Sequence, residues 1–397
     1  MKKSFSQKQV SSICGRYLLA AGLFFIGLLA FLAIGVSTGL GASPPLRAYH
    51  LTDLGVLPAK KASISIPAAI NDQGQVAGTS GMTDVDESAF LYDPKNNKGM
   101  LEDLARNYGG ISHGYGINGA GHVVGDLTFD TSEPVSHAAL FVRYGKIIDL
   151  GTLEGTVSSK ATGINASGLV VGFCVGKSDG SMPRGFLWNP SMGMIDIGTL
   201  GGAWAQAFGI NDSGLVTGTS QVAESSRDGV THAFIYNPFS MSIRNMIDLG
   251  TLGGTESVGT AINANNHVVG YSTLIPANDR RVHAFLYDGM KMRDLGSLET
   301  WMAADQSYAL GVNILDQVVG YAYVLAGRDV ADPDPPVRQA AFIYTKGEMM
   351  NLNGLIEPVA AKSYWLRSAT GINSQGQIVA IAEDLSTTEL HAVLLTP

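Results

Sequence analysis

Residues 194–220 read MIDIGTLGGAWAQAFGINDSGLVTGTS, and residues 231–237 follow as THAFIYN. They form four short apolar segments separated by glycine, serine and asparagine, which favour turns. The phrase GIN, or a close variant, recurs along the chain with its asparagine at positions 71, 118, 165, 211, 263, 313 and 373. A four-segment unit that repeats about every 47 residues has the size of one blade of a β-propeller.

The second and third segments of each copy are predicted to form a β-hairpin. Three residues after each asparagine stands a residue that tolerates a positive φ angle, namely Gly74, Gly121, Gly168, Gly214, Asn266, Asp316 or Gly376. Two residues further on, the side chain is β-branched in every copy, which favours a strand. The spacing therefore places a tight turn between a GIN strand and a VVG strand.

Side-chain size indicates which strand lies innermost, because blades crowd together at the axis of a propeller. Two and four positions before the asparagine the residues are small in nearly all copies, as with Gly209 and Ala207 in the fourth. We therefore predict the order GIN strand, VVG strand, AFLY strand, and then the DLG strand of the following copy as the outer edge.

This order leaves one unmatched strand at each end of the repeats. The sequence YHLTDLG at 49–55 is an outer strand without a blade, and HAVLLTP at 391–397 ends a blade without an outer strand. Pairing the two would close the ring and cover an exposed sheet edge. The sequence predicts an all-β, seven-bladed β-propeller of four-stranded blades over residues 44–397, with an open β-solenoid as the alternative.

The phrases HAFIYN, MIDLGTLGGT and GINDSGLVTG resemble the HAF repeat of predicted bacterial extracellular proteins. The resemblance covers about residues 49 to 397. It implies an exported protein with a repeated β architecture, and it carries no assigned activity or catalytic residues. The second and seventh copies depart most from the pattern, because LEDLARNYGG and MNLNGLIEPV replace the DLGTLGG phrase.

Residues 1–43 have the character of an export signal. Four cations precede an uncharged apolar span at residues 17–36, and no acidic residue occurs before position 44. The span is longer than the core of a secretory signal peptide and close to the length of a membrane-spanning helix. Either a cleaved signal peptide or an uncleaved signal anchor, forming an N-terminal hydrophobic helix, would export the rest of the chain. We expect a secreted or periplasmic protein, or one tethered to the outer side of the cytoplasmic membrane.

The net charge and the two cysteines exclude one class of partner and one kind of cross-link. The chain has a formal net charge of -8, and an acidic body repels phosphate backbones, so nucleic acid is not expected as a partner. Cys14 and Cys174 lie on either side of the apolar span, so no intrachain disulfide is expected.

The polar residues that recur in every copy are interpreted as structural. The aspartate of the DLG segment can accept backbone N–H bonds at the end of a strand, and the GIN asparagine is expected to hold its turn. The histidines that open the AFLY segment, His137, His232, His283 and His391, would lie on separate blades and share no metal site. The sequence contains no HExxH, phosphate-binding loop or EF-hand loop. We expect no cofactor and no metal, and we identify no catalytic residue.

The candidate ligand-binding residues are aromatic and lie in the linkers between DLG and GIN segments: Trp204, Trp301, Tyr364 and Trp365. These linkers and the variable connections at 221–231, 273–282 and 321–340 should emerge on one face of the propeller, where recognition usually occurs. Tryptophan offers a flat surface for sugar rings or an anchor for a protein. The favoured function is therefore non-enzymatic binding of an extracellular glycan or protein, although these rings could instead cover gaps between blades.

An enzyme remains the alternative. A propeller-type hydrolase or lyase acting at the central channel would need titratable residues that break the repeat and converge at one mouth. Candidates in the linkers are His113, Glu154, Glu256 and Glu299.

Overall fold

The computed structural model describes most of the chain beyond residue 47. The described residues are 48–58, 62–81, 86–96, 99–128, 135–143, 145–176, 182–223, 229–240, 245–274, 281–301, 304–326 and 336–397. The chain separates into two compact units, Met1–Pro45 and Leu46–Pro397, and all described residues belong to the second. The predicted signal or anchor at 1–43, with its apolar span at 17–36, lies outside the described residues. Within those ranges, no helix has both the length and the apolar character needed to cross a bilayer.

The GIN segments form strands in all seven copies, and each strand ends at the isoleucine or valine before the asparagine. These strands are β2 (Ile64–Ile70), β6 (Ser112–Ile117), β10 (Ser158–Ile164), β14 (Gly201–Ile210), β18 (Gly253–Ile262), β22 (Ser307–Val312) and β26 (Tyr364–Ile372). The VVG segments form the second strands: β3 (Val76–Gly81), β7 (Val123–Thr128), β11 (Val170–Val175), β15 (Val216–Val222), β19 (Val268–Leu274), β23 (Val318–Leu325) and β27 (Ile378–Asp384).

The AFLY segments form the third strands: β4 (Ser88–Tyr92), β8 (Ser136–Val142), β12 (Arg184–Asn189), β16 (Thr231–Tyr236), β20 (Val282–Tyr287), β24 (Val337–Thr345) and β28 (Leu390–Thr396). The DLG segments form short fourth strands: β1 (His50–Asp53), β5 (Leu101–Asp103), β9 (Lys146–Asp149), β13 (Gly193–Asp196), β17 (Met246–Asp248), β21 (Met292–Asp294) and β25 (Glu348–Asn351). A 3-10 turn at Leu352–Gly354 and the single-turn helix α1 (Ala360–Ser363) precede β26.

Within each four-stranded unit, neighbouring strands are antiparallel and follow the predicted order. The first sheet runs β2-β3-β4-β5, and the units that begin at β6, β10 and β22 have the same order. The units β14 to β17 and β18 to β21 are joined into one larger sheet by a single parallel bridge between Thr231 and Glu256. The last sheet has the order β26-β27-β28-β1, in which His50 lies opposite Thr396. The prediction of an all-β chain built from four-stranded antiparallel units is confirmed.

The hydrophobic core lies between adjacent sheets. The phenylalanine of the third strand is fully buried in most copies, as with Phe186 and Phe285. One cluster joins Val124 and Leu140 of the second sheet to Val170 and Phe186 of the third. Another joins Val76 and Phe90 of the first sheet to Val379 and Leu394 of the last. Each sheet therefore buries its apolar side chains against its neighbours, and the first and last sheets are neighbours too.

In four copies, a serine near the start of the first strand links the sheet to the preceding one. The Ser159 hydroxyl donates to the Gly151 carbonyl at 2.6 Å and accepts from the Ala138 N–H at 2.7 Å. Ser65, Ser257 and Ser307 make the same two bonds. These hydroxyls provide partners for buried backbone groups where the DLG turn meets the next sheet.

Candidate functional site

The GIN asparagines hold the hairpins in place, as predicted, and they also connect the sheets. In the second copy, the Asn118 Oδ1 accepts from the N–H groups of Ala120 and His122 at 3.0 and 3.1 Å. Its Nδ2 donates to the backbone carbonyl of Asn165, the equivalent residue of the next copy, at 3.2 Å. This bond to the next copy recurs at 2.9–3.2 Å for Asn71, Asn118, Asn165, Asn211, Asn263, Asn313 and Asn373. The last of these donates back to Asn71, so the seven bonds form a cycle.

The aspartates of the DLG segments have the predicted structural role. The Oδ1 atom of each accepts a bond of 2.7–2.9 Å from the backbone N–H two residues later, at Gly55, Ala105, Gly151, Gly198, Gly250 and Gly296. A second partner, which was not predicted from the sequence, is the histidine that opens the AFLY strand. The Nδ1 atoms of His137, His232, His283 and His391 lie 2.7–3.1 Å from these carboxylates. Arg184 takes the place of the histidine in the third copy and pairs with Asp196.

The first strands line a central cavity of about 210 Å³. Its wall is formed by the residues just before the asparagines in all seven copies, such as Ala68, Thr162 and Leu310. This agrees with the prediction that the GIN strand is innermost. Tyr115 is the one ionisable side chain among the lining residues described here. Within the described part of the chain, no group of three histidine, cysteine, aspartate or glutamate residues is placed to hold a metal ion.

The predicted candidate His113 belongs to a titratable cluster two residues along β6 from Tyr115. Its Nε2 lies 2.8 Å from Glu87 and its Nδ1 lies 3.0 Å from Asp126. Burial by itself lowers the pKa of His113, but the hydrogen bonds and charges of Asp126 and Glu87 outweigh it and raise the pKa above its usual value. Burial and then the charge of Asp126 raise the pKa of Tyr115.

The other three candidates for channel chemistry do not join this cluster. Both ring nitrogens of His113 already face Glu87 and Asp126. Glu154 and Glu256 are exposed, and Glu299 is half-buried. Within the described residues, no hydrogen bond or ion pair links Glu154, Glu256 or Glu299 to His113.

The four predicted aromatic residues lie near the start of a first strand or in the linker just before it. This end of the strand is the one opposite the asparagine hairpin. Trp204 is half-buried in β14, and Trp301 is 55% exposed. Tyr364 donates its hydroxyl to the Asp53 carboxylate at 2.9 Å. Trp365 donates its indole N–H to the Gln339 carbonyl at 2.8 Å. Among the described contacts, no two of these four rings touch each other. The connections at 221–231, 273–282 and 321–340 lie partly outside the described residues.

Trp365 lines a cleft of about 570 Å³ between the last two sheets, which we call the Trp365 cleft. Its lining residues come from β23, β24, β26 and β27: Tyr323, Val337, Arg338, Gln339, Trp365, Arg367 and Glu383. This volume lies within the range of ligand-binding pockets in proteins.

Two arginines give the Trp365 cleft its charge. The Arg338 guanidinium carbon lies 3.1 Å from the centre of the Trp365 ring, in a cation–π contact. The Arg338 Nε is buried and has no hydrogen-bond partner within the described residues. Burial lowers the pKa of Arg338, and the nearby charge of Arg367 lowers it further, whereas Glu383 opposes both effects. Neither arginine forms an ion pair with a described residue.

A row of tyrosines leads from the fifth copy into the cleft. The rings of Tyr271 and Tyr308 lie 5.0 Å apart, those of Tyr308 and Tyr321 are stacked at 4.8 Å, and those of Tyr321 and Tyr323 are 6.1 Å apart. Burial, followed by the neighbouring tyrosines, raises the pKa of Tyr308 to about 12. The hydroxyls of Tyr271, Tyr321 and Tyr323 make no hydrogen bond to a described residue.

Only one residue of this site, Trp365, was predicted from the sequence. Tyr271 and Tyr321 directly follow the glycine of the VVG segment, where other copies have residues such as Thr79 and Phe173. Two tyrosines at equivalent positions of consecutive copies were the available signal. Arg338 and Arg367 have no counterpart in the repeat pattern, so no periodicity marked them.

Comparison with known proteins identifies the fold. A family model described as "Protein of unknown function (DUF3466)" matches residues 202–389. A search of the curated proteins returns no match. Among solved structures, the chain resembles the β-propeller domain of the Trilobed protease from Pyrococcus furiosus, described as having an open velcro topology. The TM-score is 0.50 and the sequence identity 11%, over 88% of this chain and 95% of that one.

Two further structures are similar at lower scores. TolB from Acinetobacter baumannii has a TM-score of 0.43 and 10% identity, over 69% of this chain and 61% of that one. A gluconolactonase from Xanthomonas campestris has a TM-score of 0.37 and 10% identity, over 85% of this chain and 98% of that one. At these identities the likeness concerns the fold alone. Together with the four-stranded antiparallel units, the Pyrococcus domain shows that the chain contains a β-propeller domain.

Proposed function

We propose that this protein is an exported, non-enzymatic β-propeller that binds an extracellular or cell-surface ligand, a glycan or a protein, on one loop face. The observation that carries the proposal is the Trp365 cleft. It combines a fixed indole ring, two guanidinium groups without an ion pair to a described residue, and the hydroxyl of Tyr323. Concave sites with aromatic walls and a few polar groups are the usual form of ligand-binding pockets.

The propeller is seven-bladed and closed by its N-terminal strand in this proposal. Three observations support it: the cycle of seven asparagine hydrogen bonds, the pairing of β1 with β28, and the apolar cluster shared by the first and last sheets. Closure leaves no blade without a neighbour, which is how propellers protect their sheet edges. Together with the HAFIYN and GINDSGLVTG phrases, this repeated architecture supports membership of the HAF-repeat family.

Export rests on the N-terminal sequence. The uncharged span at 17–36 and the cations before it suit either a cleaved signal or an anchor in the cytoplasmic membrane. The propeller would then be secreted, periplasmic or tethered outside that membrane. Its partners would be extracellular glycans or proteins, with membrane contact only through the N-terminal segment and with neither nucleic acid nor a cofactor.

A hydrolase or lyase at the central channel is the second candidate, and the His113 cluster favours it. This histidine, Asp126 and Tyr115 all lie on strands of the second sheet beside the cavity wall. A general base needs a ring nitrogen that can accept a proton from substrate. Because Glu87 and Asp126 contact both nitrogens of His113, binding without turnover is the better-supported function.

A binding screen tests the proposal. The purified full-length chain would be applied to an array of cell-wall polysaccharides and surface proteins, beside a variant with Trp204→Ala, Trp301→Ala and Trp365→Ala. We expect selective binding that the triple variant loses while its circular dichroism spectrum is unchanged. The single variants would assign the loss, and Trp365→Ala should account for most of it.

Two outcomes would contradict this proposal. Binding retained at full affinity by the triple variant would remove these rings from the site. Turnover of a polysaccharide by the wild-type chain, abolished by His113→Gln and unaffected by Trp365→Ala, would favour the enzyme instead.

A further inference from the structure

The Trp365 cleft presents two guanidinium groups that form no ion pair with a described residue. Arg338 and Arg367 both line it, and Glu383 is the one carboxylate among the lining residues. The protein as a whole carries a formal net charge of -8, so a cationic cleft is a local departure from its average surface. Guanidinium groups recognise carboxylates with two parallel hydrogen bonds, which makes an anionic group the matching ligand.

Contacts around Trp365 fix the direction of one of these guanidiniums. The indole N–H bond to the Gln339 carbonyl holds the ring, and the Arg338 guanidinium lies on that ring at 3.1 Å. The buried Arg338 Nε leaves the outer nitrogens of the guanidinium as the donors that a ligand can reach. One face of the Trp365 ring therefore holds the Arg338 guanidinium in a fixed orientation. Trp365 does more in this site than offer a flat surface on which a ligand could stack.

The tyrosines beside the arginines indicate what kind of molecule carries the anion. Tyr323 belongs to the cleft lining, and Tyr321 and Tyr308 continue the row of rings from it. The hydroxyls of Tyr321 and Tyr323 make no hydrogen bond to a described residue, whereas that of Tyr308 donates to Gln306 Oε1. A tyrosine ring offers both an apolar face and a polar edge. A pyranose ring has matching C–H faces and hydroxyl groups, so successive sugars of a chain could follow the row.

We propose that the Trp365 cleft binds an acidic glycan, with the carboxylate of a uronic-acid residue on Arg338 and Arg367 and adjoining sugars against Tyr323 and Tyr321. This inference rests on the proposed binding function and specifies its ligand class. Binding should weaken as salt increases, because screening reduces the attraction between the guanidiniums and the carboxylate.

Titration of the purified full-length chain with oligogalacturonate tests the inference, with the methyl-esterified oligomer as the matched neutral probe. We expect binding of the acid and little binding of the ester. Arg338→Gln and Arg367→Gln should each weaken binding by about tenfold or more, the loss expected for one charge-assisted hydrogen bond. Arg106→Gln is the matched control, because it removes an exposed arginine from another linker, and it should leave the affinity unchanged.

Arg338→Lys is a second variant, for the case that Arg338→Gln does not fold. It keeps the positive charge and removes the planar fork of donors that a carboxylate would bind. A folded Arg338→Lys variant with weakened binding supports the inference. Equal binding of the esterified oligomer would overturn it, as would an equal loss in Arg106→Gln. Equal affinity for polyglutamate or for dextran sulfate would overturn the assignment to a uronate.

Failure of this inference can be separated from failure of the proposed function. Selective binding of a neutral glycan or a protein, lost in Trp365→Ala, would retain the binding function and reject the acidic ligand. Absence of any Trp365-dependent binding would reject both.

Discussion

Asn118 uses one side-chain amide for two different tasks. Its oxygen accepts the N–H groups of its own hairpin, and its nitrogen donates to the hairpin of the next copy. The residue is 5% exposed, so water cannot replace these partners easily. The same side chain therefore shapes a turn and sets the distance between two sheets.

Substitution of Asn118 by alanine should destabilise the protein strongly. The change removes three hydrogen bonds: the two that the Ala120 and His122 N–H groups donate, and the one to the Asn165 carbonyl, which still accepts from the Gly168 N–H. Each hydrogen bond contributes about 0.5–1.5 kcal/mol. We expect the free energy of unfolding to fall by roughly 1.5–4.5 kcal/mol, measured by urea denaturation. Asn107→Ala, at an exposed position, is the control and should change little. A loss no larger than that of the control would show that the Asn118 bonds contribute nothing.

At the scale of the strand pair, the VVG segment needs glycine because its partner strand contains a β-bulge. The register between β10 and β11 shifts between Ala161 and Gly163. The shift brings the Lys160 carbonyl against Gly172, where a Cβ atom would collide with it. Five other copies keep glycine at this position for the same reason, and only the seventh has alanine, Ala380.

Gly172→Ala should therefore be destabilising despite its small size. Overpacking of this kind costs about 1–3 kcal/mol, because either the bulge or the strand pairing must move. The melting temperature and the urea midpoint should both fall. Gly354→Ala is the matched control, since nothing lies within 4 Å of a Cβ added there. If Gly172→Ala melted at the wild-type temperature, the close approach of the Lys160 carbonyl would be refuted.

The strands could be predicted from sequence because their signals are local and repeat seven times. The positive φ of Gly74, Gly168 and Asn266 follows from the turn that each one occupies. The hydrogen bond between His391 and Asp53 was not predicted, although the pairing of their strands was, because strand order does not show which side chains of two strands meet. The Trp365 cleft was equally out of reach, since it depends on the direction of side chains that occur in one copy only.

At the scale of the whole molecule, the first and last strands lie in one sheet. β1 pairs with β28 over four residues, from His50 opposite Thr396 to Asp53 opposite Val393. The Asp53 carboxylate also accepts from His391 and Tyr364, so side chains reinforce the backbone pairing. The two ends of the domain are thereby held together, although the rest of the propeller separates them along the chain.

A disulfide across this strand pair should form and stabilise the domain. We expect His50→Cys with Thr396→Cys, in a Cys14→Ser background, to give a cross-linked peptide by mass spectrometry without reductant, because directly opposed strand residues are close enough to bridge. Closing so long a loop should raise the free energy of unfolding by up to roughly 5 kcal/mol. His50→Cys with Glu389→Cys is the control and should remain unlinked. Failure of the first pair to link under oxidising conditions would contradict closure by β1.

The sequence unit and the structural unit of this protein are out of step by one strand. A sequence copy begins with a DLG strand that belongs to the preceding sheet, whereas a sheet begins with a GIN strand. A gene duplication that inserts one sequence copy would thus give a neighbour its outer strand and receive its own from the copy that follows. Unequal recombination could therefore add or remove whole copies without producing a protein that has an incomplete sheet.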